Sequence, residues 1–395
     1  MAARGALSGA EARPLRVTLV THYYPAHRGG VEIFAGQLAG RLAASGIAEI
    51  EWHASDCDAA PPSAPGLRTA PAASWNGIER RLGLPYPLWT PSALRRLARA
   101  CARADVVHLH DCLYFPNVVA FHAARRARRP VLVTQHIGLV PYRNALLRSA
   151  QRAANRGLGA WVLGGADRVV FVSDTVRRYF SRFVRFRHPA VLVPNGVDTA
   201  RFYPAMFSER RQLRERLGMP ANQPVLLFVG RFVEKKGLAV LRELAQRLAR
   251  AQWLFAGWGA LDPTSWQLSN VRVVHHAAGD QLRELYQAAD LFVLPSVGEG
   301  FPLSVQESMA CGTPALVGDD TAEGCAEAGD ALLSERVGGA DTAGRWAARI
   351  QGLLDAPARL ELLRPRVAAF AREHWSWEQC AARYAALLRA CATPQ

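Results

Sequence analysis

The stretch LFVLPSVGEGFPLSVQESMACGTPALVG, residues Leu291–Gly318, contains a complete strand–helix–strand pattern. LFVLPS is a short apolar run typical of a buried strand. Pro302 suits the first turn of a helix, because its missing N–H is not needed there. Gly312 is typical of a helix end, and TPALVG predicts the next strand. Consecutive strands joined by a helix run parallel, so this stretch predicts an open parallel sheet.

The same alternation continues in both halves of the chain. Strand patterns include LRVTLVTHYYP, DVVHLHD, RPVLVTQHIG, DRVVFVSD, PVLLFVGR, QWLFAGWG and VRVVHHA, and helix patterns include VEIFAGQLAGRLAASG and GLAVLRELAQRLAR. Residues 59–92 are rich in Pro, Ala and Ser and predict an irregular loop region. We therefore predict two doubly wound α/β domains, residues 14–197 and 198–375, and a closing amphipathic helix within 376–395.

The net charge of +15 is concentrated in one half of the chain. Residues 1–200 carry 26 arginines, no lysine and 12 acidic residues, whereas residues 201–395 carry 22 basic and 21 acidic residues. This asymmetry indicates a polyanionic partner or an anionic membrane surface for the first half, with a plain solvated basic surface as the alternative.

The cysteines and the N-terminal sequence indicate the cellular compartment that we expect for the protein. Seven scattered cysteines form no CxxC pair, which favours a reducing compartment. The N-terminal MAARGALSGAEARP lacks the apolar core of a signal peptide, and no apolar run is long enough to span a bilayer. We expect a cytoplasmic protein, with peripheral contact to the inner membrane face as a further expectation.

Two glutamates in the opening stretch are candidate ligand-binding residues. Ligands of open parallel sheets bind beyond the carboxyl ends of the strands, and a helix N-terminus there attracts anions. Glu299 lies in the predicted loop, and Glu307 lies on the predicted helix. Two fixed carboxylates beside a phosphate site suit a sugar linked through phosphates to a ribose. The alternative is an ordinary loop residue and a solvated helix residue.

Other candidates also follow predicted strands. Arg231 and Lys236 can neutralise phosphates, as a forked guanidinium and a point charge, or form an exposed basic loop. Gly29 and Gly30 let backbone N–H groups approach a ligand, or form a plain loop before a helix. His136 ends the strand VTQHIG, where a structural histidine is the commoner case.

Two further motifs are set aside. His108 and His110, in HLHD, are interpreted as structural histidines and left out of the site. Asp56 and Asp58 form a DxD string that could hold a metal bound to a nucleotide diphosphate. They lie in the half without the phosphate-like loops, so no metal site is predicted.

In this order, the motifs resemble those of a retaining GT-B glycosyltransferase of glycosyltransferase family 4, the group 1 glycosyltransferases. The matching segments are YYPAHRGGVEIFAGQLAGRL, VVHLHD, VTQHIG, ADRVVFVSD, PNGVDTARF, FVGRFVEKKG, ADLFVLPSVGEGFPLSVQESMACGTPAL and WSWEQCAARY. The resemblance extends from Val17 to the last helix. It implies two Rossmann-like domains facing across a cleft, the first binding the acceptor and the second the nucleotide-sugar, with the last helix packing back on the first domain.

The resemblance also implies residue roles in the second domain. Glu307 would bind the ribose hydroxyls of the nucleotide. Glu299 would be catalytic and bind hydroxyls of the donor sugar. Backbone groups near the sugar and phosphates would come from Gly300, Phe301, Pro302 and Leu303.

Four more implied roles involve charge and the first domain. Arg231 and Lys236 would neutralise the diphosphate leaving group. Gly29 and Gly30 would face the phosphates and the acceptor. His136 would be the second catalytic residue, near the donor sugar.

The implied reaction moves a sugar from a nucleoside-diphosphate-sugar to a glycan or lipid-linked acceptor with retention, in cell-surface polysaccharide or glycolipid synthesis. No cofactor or metal is expected. The basic, aromatic-containing segments His122–Pro130, Tyr142–Arg156 and Val176–Pro189 suit such an acceptor or an inner-leaflet surface.

Two departures from the family pattern, Trp258 and His275, leave the nucleotide base open. The alternatives are a nucleotide-sugar epimerase, an inverting transferase and a transferase that only binds. A basic nucleic-acid-binding protein is the alternative of a different class, but no nucleic-acid motif is present and no such partner is predicted.

Overall fold

The computed structural model describes residues 13–82, 86–139, 144–220, 222–297 and 301–393. These residues form two units. The first combines the described parts of Met1–Phe171, Val176–Val193 and Ala381–Gln395, and the second combines those of Val172–Thr175 and Pro194–Cys380.

The first unit contains a seven-stranded sheet in the order β3-β2-β1-β6-β7-β8-β9, with every pairing parallel. Val17 lies opposite both Ile50 and Val106, which sets the register at its centre. The strands are β1 Leu15–Val20, β2 Ala48–Ser55, β3 Leu67–Ala72, β4 Ser74–Trp75, β5 Leu88–Trp89, β6 Val106–His110, β7 Val131–Gln135, β8 Arg168–Phe171 and β9 Val191–Leu192. Short β4 and β5 form a separate antiparallel pair.

Helix α3 begins with local signals that the sequence carries. Thr90 caps α3, its side chain accepting a hydrogen bond from the Ala93 N–H at 3.3 Å, and Pro91 follows in the first turn. The helices are α1 Gly30–Ala44, α2 Gly77–Leu82, α3 Pro91–Arg103, α4 Phe115–Arg126, α5 Ala145–Ala154, α6 Ala160–Gly165 and α7 Asp174–Ser181.

The prediction of an irregular region over residues 59–92 is wrong. Its described residues include β3, β4, α2 and β5, and β3 pairs in parallel with β2. The sequence of β3, LRTAPA, has no clear alternation and contains Pro71. β3 is the edge strand of its sheet, where a residue without an N–H is tolerated.

The second unit contains a six-stranded parallel sheet in the order β12-β11-β10-β13-β14-β15. Its strands are β10 Val225–Arg231, β11 Gln252–Trp258, β12 Val271–His275, β13 Leu291–Leu294, β14 Ala315–Gly318 and β15 Leu333–Glu335. Its helices are α8 Phe207–Arg216, α9 Leu238–Arg247, α10 Gly279–Ala288, α11 Leu303–Ala310, α12 Asp319–Gly324, α13 Thr342–Leu354 and α14 Pro357–Trp375. Helix α15, Trp377–Ala392, starts in this unit and continues into the first.

The core of the second unit is its sheet. The side chains of Val225, Leu226 and Phe228 in β10 are fully buried, as expected for a parallel strand covered on both faces. Pro302 precedes α11 as its N-cap, and Gly312 follows α11 with a left-handed φ of 72°. The predicted α/β fold class, with doubly wound parallel sheets, is confirmed in each unit. Among the described residues, no helix is long and apolar enough to cross a membrane.

Candidate active site

Glu307 is the fifth residue of helix α11, which begins beyond the carboxyl end of β13. The Tyr286 hydroxyl of α10 donates a hydrogen bond to Glu307 Oε2 at 2.9 Å. Burial raises the pKa of Glu307 from its ordinary 4.5 to about 7, and the Tyr286 hydrogen bond opposes that rise. Within the described part of the chain, Oε1 has no hydrogen-bond partner. That oxygen is available to a hydroxyl of a ligand.

Tyr286 was not identified from the sequence. Its side chain is fully buried, and the Thr313 hydroxyl donates to its carbonyl oxygen at 2.6 Å, which ties α10 to the segment after α11. Tyr286 and Glu307 are far apart in sequence, and no spacing pattern links them. The helix pattern around Tyr286 predicts only that it faces the core.

Arg231 and Lys236 lie at and just beyond the carboxyl end of β10. Arg231 is the last residue of the strand and is exposed, and Lys236 ends a 3-10 turn, Glu234–Lys236. The methylene stem of Lys236 lies over Gly230, since a Cβ built on Gly230 would be 3.7 Å from Lys236 Cε. Both cations therefore lie beyond the end of a central strand, where ligands of such sheets bind.

The loop after β10 packs on the segment that follows β13. The Val297 N–H donates to the Lys235 carbonyl oxygen at 3.0 Å. Gly237 has a left-handed φ of 77°, and a Cβ there would overlap the carbonyl oxygen of Pro295. Glu299 and Gly300, two predicted site residues, lie outside the described residues.

The residues that lead into α11 differ in exposure. Phe301 packs edge-on against Trp375, with ring centroids 5.0 Å apart. Pro302 is buried, and Leu303 is 41% exposed. The Phe301 side chain is thus committed to the unit's own packing. The structure brings Arg231, Lys236 and the residues that lead into α11 to one edge of the sheet, and Glu307 lies about one turn into that helix.

Trp258 and His275, the two residues that depart from the family pattern, end neighbouring strands at this edge of the sheet. Trp258 ends β11 opposite Arg231, is 53% exposed and stacks on His276 at 6.0 Å between ring centroids. His275 Nε2 lies 3.5 Å from Asp262 Oδ2. The exposed Trp258–His276 pair offers a flat aromatic surface beside the cationic loop.

In the first unit, His136 follows β7 and is held through its backbone. The N–H groups of His136 and Ile137 donate to Asp111 Oδ1 at 2.9 and 3.1 Å, and Gln135 Nε2 donates to the same oxygen at 2.8 Å. Asp111 is buried, and this burial raises its pKa to about 7. Sequence reasoning missed Asp111 as the residue that fixes the His136 loop.

His110, which the sequence analysis left out of the site, contacts the predicted site residue His136. His110 Nδ1 lies 2.9 Å from His136 Nε2, because β6 and β7 are neighbours in the sheet. Burial lowers the pKa of His136 to about 3, so its imidazole is neutral at physiological pH. His108, in contrast, contacts Thr134 Oγ1 at 2.8 Å inside the sheet and fits the structural interpretation.

Gly29 and Gly30 differ in what surrounds them. Gly29 caps α1, and a Cβ there would overlap the Glu32 carboxylate, whereas a Cβ on Gly30 would meet no atom within 4 Å. Glu32 is buried, which raises its pKa, and its Oε1 lies 3.3 Å from His22 Nε2. The Glu32 carboxylate therefore already lies beside the amino end of α1, where Gly29 and Gly30 were predicted to face phosphates.

Both aspartates of the DxD string, Asp56 and Asp58, contact other residues of the first unit. Asp56 Oδ1 accepts hydrogen bonds from the Ser74 N–H at 3.0 Å and hydroxyl at 2.9 Å. Asp58 Oδ2 lies 2.8 Å from His27 Nδ1. These contacts connect the loop after β2 to its neighbours.

Comparison with known proteins shows the family. Residues 28–201 match the family described as Glycosyltransferase Family 4, and residues 223–356 match Glycosyl transferases group 1. The D-inositol 3-phosphate glycosyltransferase of Kineococcus radiotolerans is 30% identical over 383 residues, covering 86% of each chain.

Solved structures show the same fold. A sucrose-phosphate synthase from Thermosynechococcus elongatus has a TM-score of 0.72 and 23% identity, covering 95% of this chain and 98% of that one. Anabaena HepE in complex with UDP has a TM-score of 0.73 and 17% identity, covering 95% and 100%. The chain therefore belongs to glycosyltransferase family 4, the group 1 glycosyltransferases, and is a glycosyltransferase with the GT-B fold.

Proposed function

We propose that this enzyme transfers a glycosyl group from a nucleoside-diphosphate-sugar to a hydroxyl group of a glycan or lipid-linked acceptor, with retention of configuration. The observation that carries the proposal is Glu307 Oε1, which has no hydrogen-bond partner among the described residues and lies on the helix that follows β13, the strand beside the one that ends at Arg231. A carboxylate oxygen accepts hydrogen bonds from ribose hydroxyls, and the cations Arg231 and Lys236 suit the diphosphate. Anabaena HepE, a structural neighbour, has been solved with UDP.

The charges that develop in the transition state explain why Arg231 and Lys236 suit glycosyl transfer. Negative charge appears on the departing diphosphate while positive charge appears on the sugar. Cations fixed near the leaving oxygen stabilise that state without reorganising. Arg231 and Lys236 would supply this stabilisation, and by the same proposal the reaction needs no added metal ion.

His136 has a different part in the proposal. An imidazole that stays neutral near pH 7 is a hydrogen-bonding group, since protonating it is costly in its buried position. We assign it to positioning a hydroxyl or phosphate oxygen of the donor. Glu299 would bind hydroxyls of the donor sugar, and the leaving phosphate would accept the acceptor's proton on the face from which it departs.

The acceptor is argued from the charge of the first unit. Cys112–Val197 contains 14 arginines and two aspartates. The relative from Kineococcus radiotolerans is named for a phosphorylated acceptor, inositol 3-phosphate. We therefore favour an acceptor that carries phosphate, bound by the first unit.

A membrane-bound acceptor is supported by helix α5. Leu146 is 76% exposed on this helix, Leu147 is 37% exposed, and Arg152 is also exposed. An exposed helix that combines leucine with arginine suits the surface of an anionic bilayer. Tyr142 and Arg143, part of the same basic segment, lie outside the described residues. Such contact from the cytoplasmic face would fit cell-surface glycan or glycolipid synthesis.

The donor site is tested by calorimetric titration with UDP, GDP and ADP and with their sugars. One base should bind, and Glu307→Ala and Arg231→Ala should each weaken it by about tenfold or more, the loss expected for a hydrogen bond to a charged group. Arg242→Ala removes an exposed arginine of α9 and serves as the control. If no nucleotide binds to the folded protein, or if both site variants bind like the control, the proposal fails.

The reaction itself is tested with the donor that binds. Product formation should require a phosphate-bearing or lipid-linked acceptor, and NMR of the anomeric proton should show the configuration of the donor retained. A changed donor sugar without acceptor would indicate an epimerase, and an inverted product would indicate the inverting alternative. Sedimentation with anionic and neutral vesicles tests membrane contact, which is excluded if neither pellets the protein at low salt.

A further inference from the structure

A cavity of about 590 Å³ lies in the first unit, at the edge of the sheet opposite to His136. It is lined where β1, β6, β7 and β8 begin, and these four strands are neighbours. The ends of α4 and α15 complete it. The candidate active-site residues follow the carboxyl ends of strands, so this cavity is a separate feature of the molecule.

Both aspartates that line the cavity already form ion pairs with arginines. Asp105 pairs with Arg13 and Arg16, each at 2.9 Å, and also accepts from the Arg16 backbone N–H at 3.0 Å. The neighbouring guanidinium groups hold the pKa of Asp105 well below its usual range. Asp167 accepts from the Val131 N–H at 2.9 Å and pairs with Arg187 at 3.3 Å. Each carboxylate is thus neutralised while it holds a neighbouring strand.

Four other arginines of the cavity have no carboxylate partner among the residues that the structure describes. Arg125 and Arg128 are exposed, and their side chains make no hydrogen bond or ion pair with any described residue. Arg129 Nε donates to the Ala102 carbonyl oxygen at 3.0 Å, and Arg168 donates to a backbone carbonyl oxygen at 3.2 Å. Four like charges thus line one cavity without a carboxylate counter-charge from the part of the chain that the structure describes.

Helix ends offset only part of this charge. The carboxyl ends of α4 and α15 each carry roughly half a negative charge, so together they balance about one of the four guanidinium groups. Cations at a helix end are favourable, which explains one arginine there. The remaining positive charge is in excess of what the described fold uses.

We propose that this cavity binds a small anion that carries one or more phosphate groups. Guanidinium groups bind phosphate oxygens in pairs, and four of them around one cavity match a diphosphate better than a single carboxylate. A cavity of this size suits a ligand up to the size of a nucleotide. The same chemistry is offered by a free phosphorylated metabolite and by a phospholipid headgroup.

The test uses the full chain and inorganic pyrophosphate as the probe. Calorimetry should detect binding, and the double variant Arg125→Gln/Arg128→Asn should weaken it by at least about tenfold, since hydrogen bonds to charged groups are the strong ones. Asparagine is chosen because Arg128 has a left-handed φ of 53°, which asparagine tolerates. Circular dichroism checks that the variant is folded.

The control is the double variant Arg182→Gln/Arg185→Gln, which removes the same charge from exposed positions outside the cavity. It should bind pyrophosphate like the wild type. No pyrophosphate binding, or equal losses in the two double variants, would overturn the proposal, because the effect would then follow net charge.

A second arm identifies the source of the phosphate. Vesicles of phosphatidylcholine with phosphatidic acid are compared with phosphatidylcholine alone, with and without pyrophosphate. Pelleting by the acidic vesicles that pyrophosphate reverses, and that the cavity variant loses, supports binding at the cavity with a lipid headgroup as the source. Pyrophosphate binding that depends on the cavity arginines without such pelleting supports it with a free anion as the source.

Discussion

Replacing Glu307 by glutamine isolates the effect of burying its carboxyl group. The two side chains have nearly the same shape, and Tyr286 can donate to the amide oxygen as it donates to Glu307 Oε2. Only the glutamate ionises. In the folded protein, burial raises its pKa from 4.5 to about 7. The variant should therefore differ from the wild type in a pH-dependent way.

The sign and size follow from the two pKa values of Glu307. Between them, the folded protein holds a proton that the unfolded chain has released, so the contribution of Glu307 to stability falls as the pH rises through 4.5 to about 7. The full shift corresponds to roughly 3 kcal/mol, at about 1.36 kcal/mol per pKa unit. The stability advantage of Glu307→Gln should grow by about 2 kcal/mol between about pH 5.5 and about pH 8.

Urea denaturation followed by tryptophan fluorescence at both pH values measures this difference. Glu243→Gln, at an exposed position on α9, is the control and should show no such growth. Contributions from other titrating groups, such as Asp111, cancel when the variant is compared with the wild type. An advantage that is equal at the two pH values would refute the raised pKa. If Glu307→Gln also binds nucleotide more weakly in the same samples, the carboxylate contributes to ligand binding although its burial lowers the stability of the protein.

Other outcomes can be checked with single variants or spectra. Tyr286→Phe removes a hydrogen bond that lowers the pKa of Glu307, so the pH window found above should move upward; an unmoved window would contradict that contact. Gly237→Ala should lower the free energy of unfolding by about 2 kcal/mol or more, because it combines a left-handed φ with backbone overlap, whereas Gly352→Ala, with open space around it, should not. The ¹⁵N NMR signals of His136 should stay those of a neutral imidazole between about pH 5 and about pH 8, since its pKa is lowered to about 3; a midpoint near pH 6.5 would show a solvated ring.

The sequence predicts the parallel sheets well because a buried parallel strand has a strong local pattern. The apolar runs at β1, β10 and β13 are bounded by turn signals, and the helices between them have a helical period. The edge strand β3 was missed for the opposite reason. LRTAPA is half exposed and contains a proline, and only its pairing with β2 identifies it as a strand.

The candidate site likewise contains residues that the sequence predicts and residues that it does not. Glu307 and Arg231 could be proposed because each lies in a recognisable segment at or after the end of a strand. Tyr286, Asp111 and His110 could not, because their importance comes from contacts between elements that are distant in sequence. A hydrogen bond between two neighbouring strands, such as that between His110 and His136, needs the strand order before it can be predicted.

The hydrogen bond from the Val297 N–H to the Lys235 carbonyl, and the close fit of Gly237 against Pro295, have a consequence for protein engineering. Each segment is shaped by the other, so neither is an independent module. A chimera that imports only one of them from a relative would lose the fit between backbone atoms, even where the imported side chains are unchanged. Exchanges of donor preference between members of the family should transplant both segments as one piece.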